Sequence, residues 1–184
     1  MALDPSPPSA LTTFLSTTSK PTTHPTESIN LALQIQHNLR YQHQWTSLIV
    51  HTHSPLTSQP LPRPLLSGLP PKRLYVHPDE QIALLKAHKA AGHDDGVLDL
   101  PPEREWVLPT HLRESWSLRR MATVFDAVGH VPVDGKGEGR EGGGEDGTER
   151  GWRKVKRVLL ATLDDDSTVT YYVVHDGLVK PRQN

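Results

Sequence analysis

The chain has 184 residues, of which 35% are hydrophobic, 20 are Lys or Arg and 21 are Asp or Glu, giving a formal net charge of -1, and it has no cysteine. That length suits one domain. The missing cysteines exclude a disulfide framework and a thiolate metal site, and the near-zero charge argues against a generic nucleic-acid coat, which is basic overall.

The apolar share lies below the ~45–50% that an apolar-plus-glycine count gives for average proteins, so much of the chain is not core. No apolar run approaches the ~20 residues of a membrane helix. The start lacks the charged segment and apolar stretch of a secretory signal, and Asp4 with no arginine before Arg40 argues against a mitochondrial presequence.

Residues 1–24, rich in Ser, Thr and Pro, are expected to be a disordered tail ahead of a domain at 25–184. Residues 25–42 predict a helix. Pro25 suits its first turn, and Ile29, Leu31, Ala32, Leu33, Ile35 and Leu39 give it a broad apolar face. Residues 45–51 (WTSLIVH) read as a strand. Residues 54–71 hold six prolines and read as a surface loop, and residues 73–77 (RLYVH) read as a second strand. Asp79 would cap a short helix ending at Ala91, with Ile82, Leu84 and Leu85 inward and Gly92 at the stop.

Residues 105–108 read as extended. Thr110 would then cap a helix running to Val128, with Leu112, Trp116, Val124, Phe125 and Val128 apolar. Trp45, Trp106 and Trp116 are expected in the core. Residues 134–151 contain eight glycines, six acids and three bases in 18 positions. Such a tract buries too little surface to order itself and is expected to be a disordered insertion. Its closure cost grows only logarithmically with length, so a fold tolerates it. Two β-branched and aromatic runs, 157–163 and 168–175, flank Asp164-Asp165-Asp166-Ser167 and predict an antiparallel hairpin. The order α-β-β-α-β-α-β-β predicts an α/β (α+β) fold, a mixed, largely antiparallel sheet packed with helices and closed by a C-terminal hairpin.

The last run has no clearly polar face. Alternate residues of a strand face opposite sides of a sheet. Val169, Tyr171 and Val173 line one side here, and Thr170, Tyr172 and Val174 the other. Both sides therefore need cover, one of which another protein chain would supply.

At these residues, KRVLLATLDDDSTVTYYVVHDGLVKPRQN (156–184), the chain resembles the tRNA-splicing endonuclease superfamily. A strand, an acid-Asp-Ser-Thr turn, a Val-x-Tyr-Tyr strand, Asp-Gly and a short tail follow in the order of the eukaryotic enzyme's small structural subunit, in a form typical of fungi. A weaker likeness runs back through residues 105–128 and the helix-then-strand order of 26–78. Residues 1–25 and the glycine tract match nothing.

What the resemblance implies is a tRNA-intron endonuclease-like domain in a heterotetramer of two catalytic and two structural subunits, which excises introns from precursor tRNA. The chain would pair with a catalytic subunit through its last strand, at Val169, Tyr171, Tyr172, Val173 and Val174. Its acidic loop, Asp164, Asp165 and Asp166, would dock into a basic pocket on a subunit of the opposite pair. The nucleus is the expected compartment, with the cytosolic face of the mitochondrial outer membrane as the alternative.

Catalytic members of the family are implied to cleave RNA without metal, using a tyrosine base, a histidine acid and a stabilising lysine around one phosphate. Tyr75 and His77 come too early in the chain for that set. Tyr171, Tyr172, His175 and Lys180 fall on the closing hairpin, where the family keeps structural residues. His130 stands near the expected place without a tyrosine. A non-catalytic subunit with no cofactor is therefore expected.

His51 and His53 with His77, or with His88, His93 and Asp94, form no ligand set of motif spacing, so packing is the favoured reading over zinc. Arg150, Arg153, Lys154, Lys156 and Arg157 place five cations in eight residues and are candidates for RNA phosphate contact, against a solvated strand entrance. Arg113, Arg119 and Arg120 read as the wet face of a helix. Two other functions compete: a metal-independent RNA nuclease using Tyr75 and His77, and a stand-alone RNA-binding module using the 150–157 cations.

Overall fold

The computed structural model describes residues 7–13, 24–92, 100–132 and 155–177. After a helical turn at 10–13, the elements are α1 (Thr26–Tyr41), β1 (Thr46–His53), β2 (Pro60–Leu69), α2 (Pro78–Ala90), β3 (Glu105–His111), α3 (Leu118–Ala127), β4 (Arg157–Leu163) and β5 (Val169–His175). The predicted element order holds, but the second strand is built from other residues.

β2 occupies the proline-rich stretch that was expected to be a loop. Its prolines fall where the ladder makes few demands. Pairing with β3 covers Leu66, Ser67 and Gly68, after the last proline of the strand. On the β1 side the proline half pairs through His53 and Pro60, beyond an irregularity at His51–His53. Missing N–H groups are tolerated at such places. RLYVH (73–77), expected to be a strand, forms no strand and pairs with nothing in the sheet. Five residues of good propensity do not make a strand by themselves.

Two helix predictions shift as well. His77, not Asp79, caps α2, its side chain accepting the Asp79 N–H at 3.2 Å. α2 buries only Glu80, and Ile82, expected inward, is exposed. Thr110 does not start a helix. It lies buried in β3, where its hydroxyl donates to the Ala161 carbonyl at 3.3 Å. A parallel ladder from Val107 to His111 with β4 holds these residues extended, and the helix begins only after Ser117, whose side chain accepts the Arg120 N–H. Leu112 is accordingly exposed.

The five strands form one sheet in the order β1-β2-β3-β4-β5. Every neighbouring pair is antiparallel except β3–β4. A parallel pair needs a crossover, which here carries α3. α1 lays Leu31, Ile35 and Leu39 on one face of the sheet, against Leu66, Val107, Leu159, Ala161 and Leu163. On the other face Val124, Phe125 and Val128 cover Leu65, Trp106, Leu108 and Val158. Trp45 and Trp106 are buried, and Trp116 packs at the rim of the second cluster. The sheet thus has helices on both faces, with β5 at one edge.

Candidate functional site

Which backbone groups β5 leaves unpaired follows from its register. The Asp176 N–H donates to Lys156 O at 2.8 Å, and the Asp164 N–H donates to Thr168 O at 2.9 Å. In an antiparallel pair, hydrogen-bonded and non-bonded positions alternate. The bonded positions of β5 are therefore Thr170, Tyr172 and Val174. Val169, Tyr171, Val173 and His175 turn their N–H and C=O groups away from β4, toward the open edge. The strand is a template for one more strand.

Its side chains divide by face. Val169 and Tyr171 join the α1 side of the core. The Tyr171 hydroxyl donates to Asn38 Oδ1 at 2.6 Å, and the His43 ring meets the Tyr171 ring edge-on at 5.1 Å. Burial pushes the Tyr171 phenol up. Val174 packs on the opposite cluster, while Tyr172 and Val173 are 57% and 40% exposed. Among the predicted partner-binding side chains of β5, Tyr172 and Val173 face outward most, and Tyr171 anchors the strand to its own helix.

The acidic turn is shaped from within. Asp164 Oδ1 accepts the Asp165 N–H at 2.7 Å, Asp166 Oδ1 accepts the Thr168 N–H at 2.8 Å, and Ser167 takes a positive φ of 70°. Those N–H bonds hold the Asp166 carboxyl below its usual range. Asp165 turns the other way, onto the Arg113 guanidinium, with His111 Nε2 3.4 Å from its second oxygen. Arg113 was read as the wet face of a helix, and nothing local in the sequence marks it. It reaches Asp165 because the β3–β4 ladder sets the end of β3 beside the end of β4.

That end of β3 is held firmly. The Leu112 N–H donates to Leu163 O at 2.9 Å. Glu114 takes a two-pronged contact from Arg63, at 2.7 and 3.1 Å, and a third bond from Arg120 at 3.1 Å. Trp116 lies under both guanidiniums. Burial alone would raise the Glu114 carboxyl, but the hydrogen bonds and charge of Arg63, with Arg120, outweigh it and lower it. Arg63, Arg113, Glu114 and Arg120, with Asp164 and Asp165 and the N-terminal half of α1, line a polar cleft of about 850 Å3.

At the other end of the hairpin the RNA-contact candidates are occupied. Arg157 is 7% exposed and ion-paired to Glu105, with Glu103 at 2.9 Å. It is withdrawn from the RNA-contact set, because a phosphate cannot reach a guanidinium buried between carboxylates. Lys156 Nζ donates to Phe125 O at 2.7 Å, closing the end of α3. Arg150, Arg153 and Lys154 lie outside the described residues.

Of the catalytic candidates, Tyr75, His77 and His175 come together near Arg157, away from the polar cleft. The Tyr75 ring meets His175 edge-on at 4.7 Å and lies 5.3 Å beneath the Arg157 guanidinium, while His77 caps α2. None of the three lines the polar cleft. Burial, then the Arg157 charge and His77, lower the His175 imidazole. His51 Nε2 lies 2.8 Å from Ser67 Oγ and its ring meets Trp106 at 4.9 Å. Among the described residues no three His, Asp or Glu side chains group as metal ligands, and no helix is long and apolar enough to cross a membrane.

An α+β domain closed by a hairpin, with its last strand an open edge and an acidic turn beside it, is the class of protein these features define. The chain belongs to the Sen15 family, whose model, described as Sen15 protein, matches residues 34–184. It is 49% identical over 150 residues to a protein of Neurospora crassa named "Probable tRNA-splicing endonuclease subunit tsp-1", covering 82% of this chain and 64% of that one. The match therefore spans somewhat less than two thirds of that relative's length. A Schizosaccharomyces pombe protein, "Probable tRNA-splicing endonuclease subunit sen15", is 26% identical over 150 residues, 82% of this chain and 80% of its own length. The "tRNA-splicing endonuclease subunit SEN15" of Eremothecium gossypii is 59% identical over 29 residues, 16% of this chain and 25% of its own.

Proposed function

We propose that the chain is a non-catalytic structural subunit of a tRNA-splicing endonuclease, the enzyme that excises introns from precursor tRNA. The observation that carries this reading is the open edge of β5. Four residues direct unpaired backbone groups outward there, beside the exposed Tyr172 and Val173, in a chain of the Sen15 family. A catalytic subunit adds its own strand at that edge, since strand addition combines backbone hydrogen bonds with side-chain contacts. The acidic turn joins this pair to the opposite pair through a basic pocket. Holding two pairs in fixed register spaces the cutting sites, which places both splice sites of one precursor tRNA.

The absence of catalysis is supported by the side chains themselves. Tyr75 is taken up by ring contact with His175 and by the Arg157 guanidinium over its face, and His77 by a helix cap. Glu103 and Glu105 beside Arg157 repel a phosphate at that place. Affinity purification of the tagged full chain, followed by mass spectrometry, tests the assignment. Three other endonuclease subunits should co-purify, and the chain alone should not cut precursor tRNA. Cutting by the chain alone, or recovery of none of the three, overturns it.

A further inference from the structure

Val173 marks a gap on the α1 side of β5. Val169, Tyr171, Val173 and His175 share that side, and Leu159, opposite Val173 on β4, is buried in the core. Val169 and Tyr171 pack against the core there, whereas Val173 stays 40% exposed. Its two neighbours on this face each carry a ring braced from outside the strand. The Tyr171 ring is met edge-on by His43 at 5.1 Å, and its hydroxyl donates to Asn38 Oδ1 at 2.6 Å. The His175 ring meets Tyr75 at 4.7 Å, and the Arg157 guanidinium lies over the Tyr75 ring. His43 belongs to the turn after α1 and Tyr75 to the segment before α2, so both ring pairs are set by the chain's own fold. Same-face residues two apart in a strand are about 7 Å apart. Valine, the smallest side chain of the three, therefore sits in a notch between two fixed ring pairs, beside the open sheet edge.

The notch is apolar in character. Its floor is Val173 with Leu159 next to it, and its walls are rings. Arg157, across from His175 on β4, is held by Glu103 and Glu105. Burial, then the Arg157 charge, lower the His175 imidazole, so that ring is neutral at neutral pH. The backbone fixes the direction from which an occupant comes. Val173 turns its N–H and C=O to the open edge, so an antiparallel incoming strand places one residue in a hydrogen-bonded pair with it. Such residues put their side chains on the same face, with Cα atoms about 5.5 Å apart. Diagonal neighbours, here Tyr171 and His175, stay within reach of long or aromatic side chains.

We infer that this notch is the anchor site of the β5 edge, and that it takes one bulky apolar side chain, aromatic or branched aliphatic, from an antiparallel strand of the catalytic subunit. Backbone pairing accepts any extended strand, and the notch selects which strand and in which register. This rests on the strand-addition reading above and adds to it the side chain that the partner must carry.

Substitutions at Val173 test it, read as the affinity of the full chain for the catalytic subunit that co-purifies with it. Thermal unfolding first establishes that each variant folds, as an exposed position permits. Val173→Trp fills the notch from within and keeps every outward N–H and C=O. It should weaken binding by about thirtyfold or more, the scale of a blocked hot spot. Val173→Lys should weaken it by about tenfold or more, because an apolar neighbour leaves the ammonium without a partner. With Val173→Trp in place, alanine substitutions along the partner's pairing strand should restore binding at one position, to within about threefold of wild type.

Wild-type affinity in Val173→Trp would show that nothing enters the notch. Unchanged or tighter binding by Val173→Lys would give it a polar or acidic occupant. Rescue at no position would mean that Val173→Trp disturbs the edge itself. Self-association of the wild-type chain that excludes the catalytic subunit would assign the edge to a second copy. Each of these overturns the inference. Val173→Pro, which removes an outward donor, addresses the underlying reading. If folded Val173→Pro binds like wild type, strand addition fails and the inference with it. If Val173→Pro abolishes binding while Val173→Trp leaves it unchanged, the inference alone fails.

Discussion

At the scale of single residues, the two kinds of ion pair in this molecule should behave in opposite ways. Glu105 and Arg157 are 3% and 7% exposed, and removing one member strands a buried charge. Glu105→Ala is expected to cost about 3 kcal/mol, the lower end of such cases, because Glu103 still faces Arg157 at 2.9 Å. Arg113→Ala, in the open, should cost about 1 kcal/mol or less. Urea unfolding of the two variants checks the contrast, and equal losses would refute it.

His51 gives a second expectation, in pH. Arg104 donates to Ser67 Oγ at 3.0 Å, so the serine hydroxyl is free to donate to His51 Nε2, which accepts as a neutral ring. Burial first, then the Arg104 charge, lower the imidazole from 6.5 to about 4. Between those values the unfolded chain binds a proton that the native ring refuses. Stability should therefore fall as pH drops from 6.5 toward 4, while above 6.5 this group adds no pH dependence. His51→Gln should flatten that part of the acid slope in urea midpoints measured from pH 7 to 4. An unchanged slope would exclude His51 as its source.

At the scale of elements, the alternation along β5 makes one substitution unusually clean. Val173 lies opposite Leu159 at a non-bonded position, so its N–H points to the open edge. Proline there removes an outward donor and leaves the β4–β5 ladder whole, as edge positions allow. Val173→Pro should fold, keep its hairpin and lose co-purification with a catalytic subunit. Retained co-purification by the folded variant would rule out strand addition at this edge. Proline at Tyr172, a bonded position, should instead unfold the hairpin.

At the scale of the whole molecule, the sheet and its two covering helices form one three-layer core, and the β3–β4 crossover carries both α3 and the glycine-rich tract. Residues 134–151 lie outside the described residues. Replacing residues 134–151 by a short linker should leave assembly and cleavage by the complex intact, since loop closure depends weakly on length. A large loss in a cleavage assay of the reconstituted complex would assign the tract a function of its own.

Much of this was legible in the chain. The apolar stripe of α1 and the β4–turn–β5 hairpin are set by local periodicity and turn chemistry, and both stand where their residues put them. The family likeness lay in the hairpin, because acid turn, paired tyrosines and Asp-Gly are contiguous. Other features were decided only by packing. The prolines of β2 mark a loop by propensity, yet a sheet with room for a partly paired strand accepts them. Thr110 has the composition of a cap, yet β4 claims it as strand. Arg157 reads as one of a cationic run until Glu105, 52 residues away, buries it. Arg113 meets Asp165 at the same separation because a parallel pair sets the ends of β3 and β4 side by side. The sequence by itself determined the order of the elements, the apolar stripe of α1 and the closing hairpin with its turn, since those are governed by neighbours a few residues apart. Only the tertiary structure decided which strands end the sheet and which charges are spoken for, because both depend on partners brought together by the sheet.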